Sequence, residues 1–224
     1  SLLGYIVSAV TAYLLGSLSF GIIFSKLKYK KDIRDYGSNN AGMTNMLRTF
    51  GKGAAALVFL FDTLKGAAAV LIAKYLLHFD GDPTVCAYTA MVFVVLGHLF
   101  PLYFGFRGGK GVATSLGAAT ALAPITFPLV MIPFLLILLI GRMVSLASVI
   151  CGFLLPVVTF CLYYFKGEPT LVPTVATAIL TLLVLFMHRT NLVRIAHGEE
   201  RKIGADKVNV EAESQENQDN QAKK

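Results

Sequence analysis

The sequence predicts an all-α, polytopic membrane protein: a transmembrane bundle of seven helices, two of them short. Of its 224 residues 55% are hydrophobic and 15% are charged, and the mean hydropathy is +0.66. This composition lies outside the range usual for soluble domains. A membrane-crossing helix needs about 20 apolar residues, and several runs of that length alternate with short polar stretches. We expect one membrane domain over residues 1–204 and a disordered polar tail over residues 205–224.

The first apolar run, residues 2–24, predicts helix one, whose glycines and serines favour close packing against neighbouring helices. A basic cluster follows it: Lys26, Lys28, Lys30, Lys31 and Arg34. Basic residues beside a membrane helix are typical of its cytoplasmic end. The N-terminus is therefore expected outside the cell and the C-terminus in the cytoplasm.

Helix two is predicted over residues 53–77 and carries Asp62 and Lys65, which are three residues apart and share one helical face. Charged groups inside a membrane are costly unless they are paired or face water. Either this ion pair only holds helices together, or it takes part in function. The sequence leaves both interpretations open.

Helix three is expected over residues 84–104, and the last two helices over 144–165 and 171–187. Between them, Pro124 and Pro128 divide the apolar stretch 112–140, which predicts two short helices there. With seven crossings, the final basic block reaches the cytoplasmic side, as the charge rule requires. A re-entrant hairpin with five true spans is the alternative that satisfies the same rule.

This topology brings three polar blocks, residues 38–48, 97–111 and 188–204, to one face of the membrane. Glycine-rich turns expose amide groups that bind anions, Lys110 adds a positive charge, and Arg48 adds a planar fork suited to phosphate oxygens. The pattern is not a nucleotide P-loop, because Gly111 stands where that motif has Ser or Thr. With His188 as the predicted base and Asn191 one helical turn further on, the blocks favour group transfer involving a phosphorylated small molecule.

No cofactor, metal site or nucleic-acid partner is expected. The three cysteines, Cys86, Cys151 and Cys161, lie inside apolar runs without metal-ligand spacing. The oligomeric state is left open, with a monomer as one possibility.

The three blocks resemble the signatures of the PlsY family, bacterial acyl-phosphate:glycerol-3-phosphate acyltransferases of the inner membrane. The matches are GSxNxGxTNxxR at residues 37–48, GHxFPxxxxFxGGKGVAT at 97–114 and HRxNxxRxxxGxExKxG at 188–204. DxxKG at 62–66 and RxxSLAS at 142–148 extend the resemblance. One departure is Asn39, which stands where the family usually has glycine; both residue types tolerate positive φ.

The resemblance implies a multi-pass enzyme with a cytoplasmic active site. It would transfer a fatty acyl group from acyl phosphate to the 1-hydroxyl of glycerol 3-phosphate, giving lysophosphatidate and phosphate in the first step of phospholipid synthesis. His188, Asn191 and Lys110 are the expected catalytic residues. The expected substrate-binding residues are Ser38, Asn40, Asn45, Arg48, His98, Gly108, Gly109, Lys110 and Ser145.

We expect direct transfer without an acyl-enzyme, because phosphate is already a good leaving group and none of the polar blocks contains a cysteine. In this hypothesis His188 or the donor phosphate takes the proton, and backbone amides near Gly108 and Gly109 stabilise the oxyanion. The acyl chain is expected to enter sideways from the lipid. The alternative function is a membrane transporter of an organic phosphate, which would also need cations and broken helices.

Overall fold

The computed structural model describes residues 2–204, 208 and 210, and within these residues the chain is helical and forms no strand. The predicted all-α fold is confirmed. The described α-helices are α1 (Leu2–Gly16), α2 (Phe20–Tyr29), α3 (Met43–Phe50), α4 (Lys52–Tyr75), α5 (Pro83–Leu99), α6 (Val112–Leu122), α7 (Thr126–Gly141), α8 (Val144–Phe165) and α9 (Leu171–Ala196). The predicted tail, residues 205–224, lies outside the described residues apart from Val208 and Val210.

Five described segments are long and apolar enough to cross a membrane: Leu2–Tyr29, Lys52–Tyr75, Pro83–Phe104, Val144–Phe165 and Leu171–Ala196. The two short helices predicted from the prolines are α6 and α7, with 11 and 16 residues. By length and composition, the five long segments agree with the alternative of five spans. The orientation of the termini stays a prediction.

Helix one differs from its prediction because it is broken between Gly16 and Phe20 into α1 and α2. A break inside a membrane span leaves carbonyl groups without an intrahelical partner. Here Lys65 Nζ donates to the carbonyls of Gly16 and Leu18, at 3.0 and 2.8 Å. The intramembrane lysine therefore supports the break.

Two other differences lie in the polar blocks. The first block contains a helix of its own, α3, and α9 continues to Ala196, nine residues beyond the predicted end at residue 187. An apolar stretch predicts where a span lies, but a helix also continues through polar residues when their side chains find partners. This extension places His188 and Asn191 on one regular helix.

Glycines allow the helices to approach closely, as the sequence predicted for helix one. A Cβ atom on Gly16 would lie 2.1 Å from the Val94 carbonyl oxygen on α5, and one on Gly97 would lie 2.2 Å from the Tyr13 carbonyl oxygen on α1. On α4, a Cβ atom on Gly66 would lie 2.2 Å from the carbonyl oxygen of Thr114 in α6. These contacts fix the inner ends of α5 and α6, and with them the second polar block.

Candidate active site

A cavity of about 910 Å³ lies among α3, α4, α6, α7, α8 and α9. One end is polar, and all three blocks contribute to it. The other end is apolar and is lined by α7, α8 and α9. Of the predicted site residues, these line the cavity: Ser38, Asn40, Asn45, Arg48, His98, Lys110, Ser145, His188 and Asn191. The three polar blocks, which the predicted topology brings to one face of the membrane, therefore border the same cavity through their motif residues.

Three helix N-termini reach the polar end of the cavity. Its lining includes Met43 at the start of α3, Val112 at the start of α6 and Val144 at the start of α8. The first-turn amides of a helix have no intrahelical acceptor, and the helix dipole makes that end positive. The convergence of three such ends makes this part of the cavity suited to anions.

The first block is held in shape by Asn45, which is 1% exposed. Its Nδ2 atom donates to the carbonyls of Ile33, Tyr36 and Asn40 at 2.9–3.1 Å, and its Oδ1 atom accepts the Ser38 amide at 3.0 Å. These bonds use the N–H groups of the side-chain amide and one lone pair of its oxygen. Asn45 therefore positions the loop; it also lines the cavity, and direct contact with the substrate stays a prediction.

Asn39 and Asn40 shape the same loop. Asn39 has a φ of 55° and donates from Nδ2 to the Arg34 carbonyl at 2.9 Å. It therefore adopts the left-handed conformation expected of a residue that replaces glycine. Asn40 lines the cavity, but its Oδ1 atom accepts the Gly42 amide at 3.0 Å just before α3 begins.

Arg34 joins the first block to the second. Its guanidinium pairs with Asp32 at 2.8 Å and donates to the carbonyls of Phe104 and Arg107, at 2.6 and 3.3 Å. Burial opposes ionisation of Asp32, but the hydrogen bonds from Arg34 and Lys26 outweigh it and hold the pKa of Asp32 below its usual range. The charged pair therefore persists at neutral pH and fixes the two loops beside each other.

Two glycines of the second block, Gly108 and Gly109, are hydrogen-bonded to the end of α5. The Gly108 amide donates to the Leu99 carbonyl and the Gly109 amide to the His98 carbonyl, both at 3.1 Å, and neither residue lines the cavity. These two donors are thus bonded within the loop, and stabilisation of an oxyanion by amides near Gly108 and Gly109 stays a prediction. Val112 and Ala113, in the first turn of α6, do line the cavity.

His98 belongs to a buried cluster with the two charged residues of α4. Lys65 Nζ lies 2.9 Å from Asp62 Oδ1 and 2.9 Å from His98 Nδ1. The His98 ring packs on the second block, since a Cβ atom on Gly109 would lie 2.2 Å from its Nε2 atom. Asp62 and His98 also border the cavity. The ion pair thus holds helices together, and its position beside the cavity leaves the functional interpretation open.

The third block supplies a connected polar network. Lys110 Nζ donates to Asn191 Oδ1, and Asn191 Nδ2 donates to Glu200 Oε1 at 2.6 Å. Ser145 Oγ donates to the same carboxylate oxygen at 2.7 Å, and Arg194 Nε donates to Glu200 Oε2 at 2.8 Å. Residues from three other parts of the chain are thereby connected to the Glu200 carboxylate.

Glu200 and Arg194 were not predicted as site residues, although both are fixed positions of the third motif. Glu200 is 9% exposed and lies in the segment after α9 that folds back over the cavity. The signal that sequence reasoning overlooked was an acidic residue in an otherwise basic block, since a buried carboxylate needs donors around it.

Burial and nearby charges alter the pKa values of this network. Burial lowers the pKa of Lys110 from 10.5 to about 8. The positive charges of Arg194 and Arg48 act in the same direction, and the negative charge of Glu200 opposes them. Burial raises the pKa of Glu200, but hydrogen bonds from Ser145, Asn191 and Arg194 outweigh it and lower the pKa overall. At neutral pH Lys110 is thus mostly a cation, and Glu200 is an anion and a weak base.

His188 is 3% exposed and lines the cavity from α9. Its Nδ1 atom lies 2.8 Å from the Val184 carbonyl oxygen. Because a carbonyl only accepts hydrogen bonds, Nδ1 carries the proton, and Nε2 of the neutral ring has a free lone pair. The backbone thus selects the tautomer in which Nε2 can accept a proton.

Arg48 and Ser38 complete the polar end. Arg48 lies on α3, and its guanidinium reaches the Arg201 carbonyl at 3.5 Å, while its own carbonyl accepts the Val208 amide at 3.2 Å. The segment that carries Glu200 is also tied to Arg142, which donates from its guanidinium to the Ile203 carbonyl at 3.0 Å. The cavity mouth is thus bordered by α3, the start of α8 and the segment after α9.

The other end of the cavity is apolar. Its walls include Met131 and Phe134 on α7, Leu155 on α8, and Leu180 and Val184 on α9. Cys151 is also in this part, where its Sγ atom donates to the Val130 carbonyl at 3.5 Å. Within the described residues, no group of three His, Cys, Asp or Glu side chains is arranged to hold a metal ion. The absence of a metal stays a prediction.

The family model described as "Glycerol-3-phosphate acyltransferase" matches residues 6–198. A protein of that name from Clostridioides difficile is 44% identical over 204 residues, which are 91% of this chain and 97% of the relative. One from Listeria welshimeri is 41% identical over 199 residues, 88% of this chain and 96% of the relative. Both carry the same name as the matching family model.

Two crystal structures of PlsY (YgiH), an integral membrane glycerol 3-phosphate acyltransferase, have a similar fold. Its glycerol 3-phosphate form superposes with a TM-score of 0.78 at 36% identity and covers 89% of this chain and 96% of that one. Its lysophosphatidic acid form gives a TM-score of 0.75 at 34% identity, covering 89% and 95%.

Proposed function

Because this chain belongs to the glycerol-3-phosphate acyltransferase family, we propose that it uses acyl phosphate as donor and releases lysophosphatidate and phosphate. The observation that carries this proposal is that the polar, anion-binding end and the apolar end belong to the same cavity. We call the apolar end, lined by α7, α8 and α9, the apolar groove. Both substrates carry a phosphoryl group, and one also carries a fatty chain. The cavity therefore offers each chemical part of the two substrates a matching environment.

The phosphate of glycerol 3-phosphate is assigned to Arg48, Lys110 and Ser38, beside the N-termini of α3 and α6. Guanidinium and ammonium groups form short, charge-assisted hydrogen bonds with phosphate oxygens. Ser145, whose hydroxyl donates to Glu200, completes this side of the site. The three positive helix ends add fixed dipoles that also favour a second phosphoryl group, that of the donor.

The acceptor hydroxyl is assigned to His188 and Asn191. Nε2 of His188 is the atom that can accept its proton, since Nδ1 is engaged with the Val184 carbonyl. Attack by the hydroxyl oxygen on the acyl carbonyl forms the ester bond, and the bond from the carbonyl carbon to the phosphate oxygen breaks. Phosphate leaves with the electron pair, and the first-turn amides of α6 stabilise the intervening oxyanion.

Direct transfer is favoured over an acyl-enzyme. Ser145 contacts a carboxylate, but the lowered pKa of Glu200 makes it a poor base for activating a hydroxyl. Cys151 lies in the apolar groove with its thiol bonded to a backbone carbonyl. Beside the proton transfer to His188, the catalytic contribution of the site is then positioning and electrostatic stabilisation.

The acyl chain is proposed to enter sideways from the lipid along α7. Phe127 and Leu135 line the cavity and yet are 44% and 48% exposed, so this wall faces outward. The charge distribution supports a cytoplasmic position of the polar end in a bacterial inner membrane.

One assay tests the proposal. Purified protein is incubated with palmitoyl phosphate and labelled glycerol 3-phosphate, and lysophosphatidate is measured; palmitoyl thioesters serve as competing donors. We expect product from the acyl phosphate alone. Product from a thioester alone would overturn the proposed donor, and hydroxylamine trapping of an acylated protein would overturn direct transfer.

A further inference from the structure

The ring of His98 is held by a lysine of the membrane-spanning helix α4. Lys65 Nζ donates to the carbonyls of Gly16 and Leu18 at 3.0 and 2.8 Å. Its third hydrogen-bonding neighbour is His98 Nδ1, at 2.9 Å. Asp62 Oδ1 is equally close to Nζ, but its position does not make a hydrogen bond. The three protons of an ammonium group therefore match three acceptors, and the carboxylate balances the charge.

This contact determines which nitrogen of His98 carries the proton. An ammonium group can only donate, so Nδ1 accepts, and the proton of the neutral ring is on Nε2. His188 has the opposite tautomer, because its Nδ1 atom donates to the Val184 carbonyl. Two histidines with opposite tautomers thus line the cavity. His98 has an N–H group at Nε2, and His188 has a lone pair there.

The Nε2 atom of His98 lies at the polar end of the cavity. The ring occupies the place of a side chain at Gly109, where a Cβ atom would lie 2.2 Å from Nε2, and the next residue, Lys110, lines the cavity. His98 is 3% exposed, and among the described residues no group hydrogen-bonds to Nε2. Unlike Asp62 Oδ1, this atom keeps some accessible surface. A buried donor without a partner is costly, so a ligand that accepts its hydrogen bond is favoured.

We propose that Nε2–H of His98 donates a hydrogen bond to an anionic oxygen of the bound substrates, and that Lys65 positions His98 by fixing this tautomer. The oxygen belongs either to a phosphoryl group or to the oxyanion formed at the acyl carbonyl. The inference rests on the proposed transfer from acyl phosphate. A neutral imidazole can serve as such a donor, and this role gives the buried ion pair of α4 a part in the reaction.

The first experiment compares His98→Asn with the unmodified chain in the acyl phosphate assay. Asparagine Oδ1 can accept from Lys65 in place of Nδ1, but the shorter side chain has no group at the position of Nε2. We expect kcat/KM to fall about tenfold or more with little change in melting temperature. A higher KM for one substrate would assign the hydrogen bond to the phosphate of that substrate. A lower kcat at unchanged KM would assign it to the oxyanion.

The matched control is His197→Asn, which should keep the activity of the unmodified chain. His197 is exposed and does not line the cavity, and its Nδ1 atom also contacts a backbone carbonyl. Unchanged kcat/KM for both substrates in folded His98→Asn would overturn the proposal. An unmodified chain that forms no product from acyl phosphate would instead reject the proposed function.

The second experiment observes the tautomer in the unmodified chain and so does not depend on how His98→Asn folds. The full chain is labelled with nitrogen-isotope histidine, and NMR in detergent identifies the ring nitrogen that carries hydrogen in each residue. Removing the other histidines one at a time assigns the signals. We expect the hydrogen of His98 on Nε2 and that of His188 on Nδ1. A neutral His98 with its hydrogen on Nδ1 would overturn the proposal.

Discussion

Asn191 donates from Nδ2 to Oε1 of Glu200 across 2.6 Å while its Oδ1 atom accepts from Lys110. The carboxylate thus fixes which way the Asn191 amide faces: its oxygen toward the lysine and its nitrogen toward the glutamate. Two residues with predicted catalytic roles are held in place by a third that the sequence analysis did not select.

Glu200→Gln tests this arrangement. The new amide nitrogen would face groups that now donate to the carboxylate, and losing hydrogen bonds to a charged group costs about 1.5–3 kcal/mol each. We expect kcat/KM for glycerol 3-phosphate to fall by at least about tenfold, measured as lysophosphatidate formation. The control is Lys202→Gln, an exposed neighbour, which should retain activity. Activity equal to the unmodified chain in Glu200→Gln would contradict a positioning role.

His188→Asn separates base chemistry from structure. The Asn amide can still donate to the Val184 carbonyl in place of Nδ1, but it has no counterpart of Nε2. If Nε2 takes the proton, turnover should fall on the order of 10²-fold with little change in melting temperature. A loss of only a few-fold would assign proton removal to the phosphate of the donor.

The pKa of Lys110 predicts an alkaline limit. This pKa is lowered to about 8, so the side chain is a cation below that pH and loses its charge above it. Phosphate binding should weaken accordingly, and kcat/KM for glycerol 3-phosphate should decline above about pH 8. The Lys110→Arg variant keeps its positive charge over the whole pH range, so its kcat/KM for glycerol 3-phosphate should not show this decline. The same decline in both proteins would assign it to another group.

Asn45→Ala should destabilise the protein. It would leave the Ser38 amide and the carbonyls of Ile33, Tyr36 and Asn40 without their present partner. Each unsatisfied buried group costs about 1–3 kcal/mol, so a fall in melting temperature of at least about 5 °C is expected. A thermal shift assay in detergent measures it. An unchanged melting temperature with lost substrate binding would instead indicate direct contact with the substrate.

The buried ion pair of Asp62 and Lys65 can be tested by substitution. Lys65→Met removes the cation that pairs with the buried Asp62 and leaves only His98 Nδ1, at 3.5 Å, beside the carboxylate. Removing one partner of a buried ion pair typically costs about 3–5 kcal/mol. The double variant Asp62→Leu, Lys65→Met should melt at a higher temperature than Lys65→Met, because the uncompensated charge is gone. If the double variant is active, the pair serves structure; if it is stable and inactive, the pair serves the reaction.

The sequence determined the architecture and the location of the site. Apolar length predicted the membrane spans, the two prolines predicted the short α6 and α7, and three ordered motifs predicted which loops form the site. These features are local: a span needs apolar residues in sequence, and a motif is read along the chain. They required no knowledge of which side chains touch.

Only the tertiary structure decided what each polar residue does. Asn45 and Arg48 are close in one motif and both line the cavity, yet the side-chain amide of Asn45 is hydrogen-bonded within its own loop, while the guanidinium of Arg48 reaches the Arg201 carbonyl. The amides of Gly108 and Gly109 are bonded to the end of α5, and Glu200 gathers donors from distant parts of the chain. A hydrogen bond depends on distances between groups far apart in sequence, and the folded chain alone sets those distances.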